Sequence, residues 1–327
     1  MATRRRILLA TALLAGGGAL GACADGDRSV EVGDVVAAGG QPIRTRAFDV
    51  RLPTGTLEVR LRAATPTVAA SDTAEGEELP AVDGVRYLGV GWDLRTTGTP
   101  PGSAGLFAGV GERPTLTLVG EGERIDLAGR DASVGVFVAV PKDLPETGHL
   151  EIGFDGVVQR VALDGYDVDP GDAAALYDDP PAAREEQDCS GTKPERGVAL
   201  DQTCGALLVE LPWAPEAGWA PAGTTWAALR LEARLDTVTV GRGSGAASYT
   251  VTGAEVTATL GGARPTSTLE RPATGPGDTN AWLVFPMPAG PADLVVGATY
   301  AADRTSGSED RPATEEFTTA STTRVMP

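Results

Sequence analysis

Residues 229–236 read Leu-Arg-Leu-Glu-Ala-Arg-Leu-Asp, and that alternation constrains the fold more than any other feature of the chain. Leu229, Leu231, Ala233 and Leu235 fall on one side; Arg230, Glu232, Arg234 and Asp236 fall on the other. Successive side chains of an extended strand point to opposite faces, so this segment is a half-buried strand with a wet face. Period 2 dominates the chain, and long stripes of helical period are absent. A second alternating run, Leu150, Ile152 and Phe154, meets Asp155-Gly156 and returns through Val157 to Leu163. It predicts a hairpin on a type I′ turn. That register puts Gln159 opposite Ile152, a polar residue where an apolar one is expected.

The same patterning predicts strands at 45–51, 56–63, 85–94, 114–119, 122–127 and 134–140, then at 205–211, 225–236, 248–252, 255–260, 281–287 and 293–300. Short strands punctuated by Gly, Pro and Asp point to antiparallel sandwiches. The 43 glycines and 24 prolines fit turns and disfavour long helices. The chain also looks internally repeated at a spacing of about 140–147 residues. VRYLGVGWDLRTT (85–97) has a counterpart in TTWAALRLEARLDT (224–237). PTLTLVGEGERIDL (114–127) matches AEVTATLGGARPTSTL (254–269), and VFVAVPKDLPETGHLEIGF (136–154) matches WLVFPMPAGPADLVVGATY (282–300). Across residues 43–303 this resembles the tandem extracellular immunoglobulin-like domains of actinobacterial-type envelope lipoproteins. The resemblance implies an all-β chain of two antiparallel immunoglobulin-like β-sandwich domains, at 43–168 and 196–303. Residues 169–195, acidic and Pro-rich, read as a linker with one helical turn at Ala173–Tyr177. Residues 304–327 read as a polar tail, either disordered or carrying a last strand around Phe317.

The N-terminus reads as an address. Arg4, Arg5 and Arg6 precede an apolar run from Ile7 that is too short to span a bilayer. Small residues then lead to a cysteine in Leu20-Gly21-Ala22-Cys23. This string is similar to the lipobox of bacterial lipoproteins. The resemblance implies a signal peptide over residues 1–22, cleavage before Cys23, and diacylglycerol on the Cys23 thiol. Thr3-Arg4-Arg5-Arg6-Ile7-Leu8 also resembles a twin-arginine export signal; an ordinary secretory signal fits as well. The expected location is the extracytoplasmic face of the cell membrane, with residues 23–42 as a lipidated, flexible tether.

Charge and rare residues exclude much chemistry. The net charge is −18, and removing residues 1–22 with their three arginines makes it −21. An acidic body disfavours a nucleic-acid partner and is repelled by anionic headgroups. His149 is the only histidine, so a multi-His metal site is impossible and a His-assisted nucleophile has one option. With Cys23 acylated, Cys189 and Cys204 remain and can pair in an oxidising compartment, stapling the linker to the following strand. A two-cysteine metal site lacks further Cys or His ligands.

Several strings mimic known motifs. Leu144-Pro145-Glu146-Thr147-Gly148 spells a sortase signal, but no apolar span follows it. Ser190-Gly191-Thr192-Lys193 matches S-x-x-K without its partner motifs. Asp164, Asp167, Asp169 and Asp172 offer spaced carboxylates of the kind Ca²⁺ requires, although the closing Glu of an EF-hand loop is missing. The competing reading is a solvated acidic linker. Trp213 and Trp219 lie in a Pro/Gly-rich loop, LPWAPEAGWAPAGTTW. They either fold back to cap a sandwich end or stand exposed, to stack on a sugar or anchor a protein.

Taken together, the sequence predicts no cofactor and no catalytic constellation. The leading expectation is a lipid-anchored, non-catalytic binding module for an envelope protein or an extracellular ligand such as a carbohydrate, acting through Trp213 and Trp219. The alternative is a structural spacer or assembly factor at the cell surface. An enzyme with an unrecognised carboxylate site ranks last.

Overall fold

The computed structural model describes residues 30–39, 43, 46–96, 102–103, 105–111, 113–127, 135–178, 186–190 and 197–325. Cys23 and the signal-like segment lie outside them. The chain is all-β and antiparallel. The N-terminal half contains β1 (Val35–Ala37), β2 (Arg46–Leu52), β3 (Gly55–Thr65), β4 (Thr67–Val68), β5 (Leu79–Pro80), β6 (Val85–Arg95), β7 (Thr115–Val119), β8 (Arg124–Asp126), β9 (Val136–Pro141), β10 (His149–Phe154), β11 (Val157–Ala162) and β12 (Val168–Asp169). The C-terminal half contains β13 (Gln187–Asp188), β14 (Val198–Leu211), β15 (Trp213–Ala214), β16 (Gly218–Trp219), β17 (Trp226–Val240), β18 (Ala247–Leu260), β19 (Ser267–Glu270), β20 (Asp278–Pro286), β21 (Ala292–Gly307) and β22 (Thr314–Val325).

Two five-stranded sheets build the N-terminal half, in the orders β1-β9-β6-β3-β2 and β12-β11-β10-β7-β8. They share one core. Leu57, Val59, Val90 and Val138 of the first sheet pack with Leu116, Leu118, Leu150, Ile152 and Val161 of the second. The first sheet is covered on its other face too, where Tyr87, Phe137 and Ala139 pack with Ala38, Ile43 and Val68. Burial on both faces explains why β6 and β9 read as near-continuous apolar runs and not as alternating ones.

In the C-terminal half one eight-stranded sheet folds over on itself. Along one edge of β17, residues 226–234 pair with β20 and residues 237–240 pair with β18. At the switch Leu235 N–H bonds to Gly277 O, and a Cβ at Gly277 would lie 2.0 Å from Leu235 O, so only glycine fits. β13, β14, β17, β20 and β19 form one layer, and β18, β21 and β22 the other. Between them lie Leu208, Leu229, Leu231, Leu283, Phe285, Leu294 and Val296.

Six strands pair alike in both halves, in the same chain order. β3·β6, β6·β9, β7·β10 and β10·β11 correspond to β14·β17, β17·β20, β18·β21 and β21·β22. The three matched sequence pairs fall on β6/β17, β7/β18 and β9-β10/β20-β21.

Three stretches differ from their sequence assignments. The expected tether contributes β1, because its Val35-Val36-Ala37 completes the ladder of β9, and Ile43 is buried behind it. In the expected linker the helical turn forms as a 3-10 helix at Gly171–Leu176, but the segment is not free: β12 pairs with β11 and the turn lies on the sheet, burying Ala173. Of the two readings of the tail, the last strand around Phe317 forms, but longer and earlier than a tail allows: β21 runs to Gly307 and β22 pairs with it over twelve residues, with Phe317 edge-on to Tyr249. The expected strands at 248–252 and 255–260 are one strand with a bulge between Val251 and Gly253.

The hairpin forms in the expected register. Asp155 and Gly156 have φ of 46° and 79°, as a type I′ turn requires. Gln159 does oppose Ile152. It is buried because its amide closes the gap between the two sheets: its Nε2 donates to Arg51 O (2.8 Å), and its Oε1 accepts from Tyr177 Oη (2.6 Å). Tyr177 Oη also accepts from Arg51 N (3.1 Å). Polar side chains thus satisfy the open edge of β2.

Candidate functional site

The most elaborate constellation joins the two halves, and Trp213 is its centre. Its ring is 3% exposed and belongs to the apolar core of the N-terminal half. It meets Phe154 edge-on at 5.2 Å and stacks on Phe107 at 6.1 Å. β15 and β16 hold it, pairing Trp213 with Trp219 and Ala214 with Gly218. Every indole N–H of this loop has an acceptor. Trp213 Nε1 donates to Asp155 Oδ2 (2.6 Å), Trp219 Nε1 to Phe154 O (3.2 Å) and Trp226 Nε1 to Gly218 O (2.9 Å). The β10–β11 hairpin tip therefore plugs into a pocket built by its neighbour's tryptophans.

A second contact runs the other way. Residues after β6 form consecutive turns that seat Leu106, fully buried, against Leu207, Val209, Leu211, Ala228 and Trp282. Gly102 has φ of +85°, and a Cβ there would come within 2.7 Å of Leu207 Cδ2. Arg271 clamps these turns by donating to Gly105 O (2.6 Å), Leu106 O (3.1 Å) and Ala108 O (3.2 Å). The wet face expected on the β17 layer is thus apolar at its junction end, and the other half covers it.

Of the two readings of this loop, the geometry follows the capping one: Trp213 is buried across the junction and Trp219 is half-buried beside it, which leaves no exposed pair of rings. An indole in water leaves a large apolar area unburied, and here the neighbouring half buries it. The signal was present in the Pro/Gly-rich loop carrying two large rings, but sequence does not say which sandwich the loop caps.

The four aspartates proposed for Ca²⁺ do not converge. Asp164 Oδ1 accepts from Gly165 N and Asp169 Oδ1 from Gly171 N, each tying its own turn. Among the described residues no group of three or more Cys, His, Asp or Glu is placed to hold a metal. The disulfide does form: Cys189 and Cys204 are bonded, with Cα atoms 4.9 Å apart, linking β14 to the segment bearing β13. Ser190 serves the same staple, its Oγ accepting from Cys204 N (3.0 Å). Lys193 of the S-x-x-K string lies outside the described residues.

His149 sits beside Glu151, with Nε2 3.4 Å from Oε1. Glu151 is the hub of an outer-face cluster, bonded by Arg124 (2.7 Å) and approached by Arg160 (3.4 Å). The Arg124 hydrogen bond, aided by His149 and Arg160, holds its carboxyl below the usual glutamate range despite partial burial. The C-terminal half carries shallow concavities. One of about 260 Å³ is lined by Thr203, Glu232, Arg234, Asp278 and Asn280; another of about 590 Å³ by Gly261, Pro288, Pro291, Asp293, Val295 and Arg324. Their charged groups already have partners: Arg234 grips Asp236, Thr274 bonds Asp278, and Arg324 pairs with Asp293. No protein-family model, curated protein or solved structure matches the chain.

Proposed function

We propose that this chain is an exported, lipid-anchored envelope protein of two immunoglobulin-like domains, fused into one rigid body that serves as a non-catalytic spacer or assembly scaffold. The observation that carries this reading is Trp213: a side chain of the C-terminal half completes the core of the N-terminal half. A module built to present a flexible binding loop gains nothing from burying that loop's largest rings in its neighbour. A spacer needs a junction that does not bend. The immunoglobulin-like assignment draws support from the strand order, in which β3-β6-β9 face β7-β10-β11, as strands A, B and E face C, F and G in that fold. The Cys189–Cys204 disulfide supports an oxidising, extracytoplasmic location. The anchor rests on the lipobox-like string ending in Cys23.

Two measurements test the reading. Cys23→Ser should move the protein from the membrane fraction to the soluble one. Photo-crosslinking residues at Glu121 and Ser244, in turns at opposite ends of the body, should capture different neighbours in intact envelopes. A single partner captured from one position only would favour the binding module instead.

A further inference from the structure

We infer that the N-terminal half stands between the bilayer and the C-terminal half, with an acidic set of turns facing the lipid. The inference rests on the lipid-anchor reading and follows from where the chain enters the fold. Val30, like Leu79, Ala81 and Val85, packs on the cluster around Tyr87, Phe137 and Ala139, which lies behind the start of β6. Gly33 N–H then bonds to Ala139 O, and β1 climbs antiparallel to β9 from there. β6 runs from that end to Arg95, and its continuation supplies the Leu106 turns of the junction. β10 likewise runs from His149 to Phe154, whose following turn meets Trp213. The chain therefore enters at one end of the N-terminal half and the C-terminal half docks at the other. The eleven residues of β6 separate these ends by roughly 33 Å at the rise of an extended strand.

Cys23 lies seven residues before Val30, and seven residues reach at most about 25 Å. The entry end is therefore held close to the lipid. Its turns expose Asp83, Glu121, Glu123, Asp143, Glu146, Asp164 and Asp167, against Lys142 within them and Arg124 beside them. Such a surface is repelled by anionic headgroups over about one Debye length. A short tether pulls this end down while its charge pushes it off. The result is a post standing upright on its acidic foot, with the turns at 241–246 and 308–313 outermost.

The test uses the full mature chain with its disulfide intact, coupled through Cys23 to a maleimide lipid in vesicles carrying a headgroup acceptor dye. Donor dyes are attached through an encoded azide at Glu121 or at Ser244. Energy transfer from Glu121 should exceed that from Ser244 several-fold in phosphatidylcholine. Adding phosphatidylserine at low salt should lower transfer from Glu121, and 1 M salt, with a Debye length of about 3 Å, should restore it. Equal transfer from both sites, or more from Ser244, overturns the orientation. Transfer from Glu121 that ignores lipid charge overturns the repulsive foot. Coupling supplies the anchor chemically, so mass spectrometry finding no lipid on native Cys23 would refute the anchor reading separately.

Discussion

Trp213 illustrates how much one side chain can join. It touches Phe154 and Phe107 across the junction, and its N–H reaches Asp155. Truncating a buried tryptophan costs about 3–5 kcal/mol, and Trp213→Ala should lower the urea midpoint accordingly. Trp219→Ala, at a half-buried ring, should cost less. Glu151 gives a pH signature. Its folded pKa is depressed, so its stabilisation is complete above the unfolded value, about 4.3, and is lost as pH falls through the lower folded value. Glu151→Gln should therefore be less stable than wild type at neutral pH and converge with it in acid, read as urea midpoints against pH. Gln159 marks a limit of sequence reading. Its place opposite Ile152 was legible from the hairpin register. Its partners, Arg51 and Tyr177, lie 108 and 18 residues away, and no local pattern announces them.

At the scale of elements, the pattern of alternation and short apolar runs located β2, β3, β6–β11, β14, β17, β18, β20 and β21, the strands with at least one dry face, and missed β1, β12, β19 and the other two-residue strands. It understated β14, β17 and β21, whose ends leave the main core for the second cluster around Leu235, Tyr249 and Tyr300. It also took residues 35–37, 171–178 and 314–325 for tether, linker and tail. Residues 35–37 are too short a run to stand out, and 314–325 are mostly polar; both are placed by backbone ladders that almost any composition can make, whereas 171–176 form a 3-10 turn lying on β11. The staple was legible by counting cysteines. Closing a ring of this size contributes about 3 kcal/mol in the chain-entropy estimate. Cys189→Ser/Cys204→Ser should lower thermal stability by about that much, with amide exchange speeding first at Ala206 and Gly205, which β13 covers. Tyr177→Phe removes the bonds to Gln159 and Arg51; the exposed Arg51 N–H can turn to water, but the buried Gln159 side-chain carbonyl loses its donor, and an unmet buried polar group costs about 1–3 kcal/mol. Exchange at β2 should report it.

For the whole molecule, the junction decides the behaviour. Its existence was not legible: the apolar run of 205–211 looks the same whether its outer face meets a loop of its own half or Leu106 of the other. Leu207, Val209, Leu211, Ala228 and Trp282 form a contiguous apolar face once residues 102–110 are removed. Residues 186–325 expressed alone should therefore bind hydrophobic dyes and aggregate, whereas the whole chain should unfold in one calorimetric transition. The most direct test of the fused body is ¹⁵N relaxation on the intact mature protein. A locked junction predicts one rotational correlation time shared by amides of β6 and β10 with those of β17 and β21. Two shorter, separate correlation times, one for each half, would contradict it.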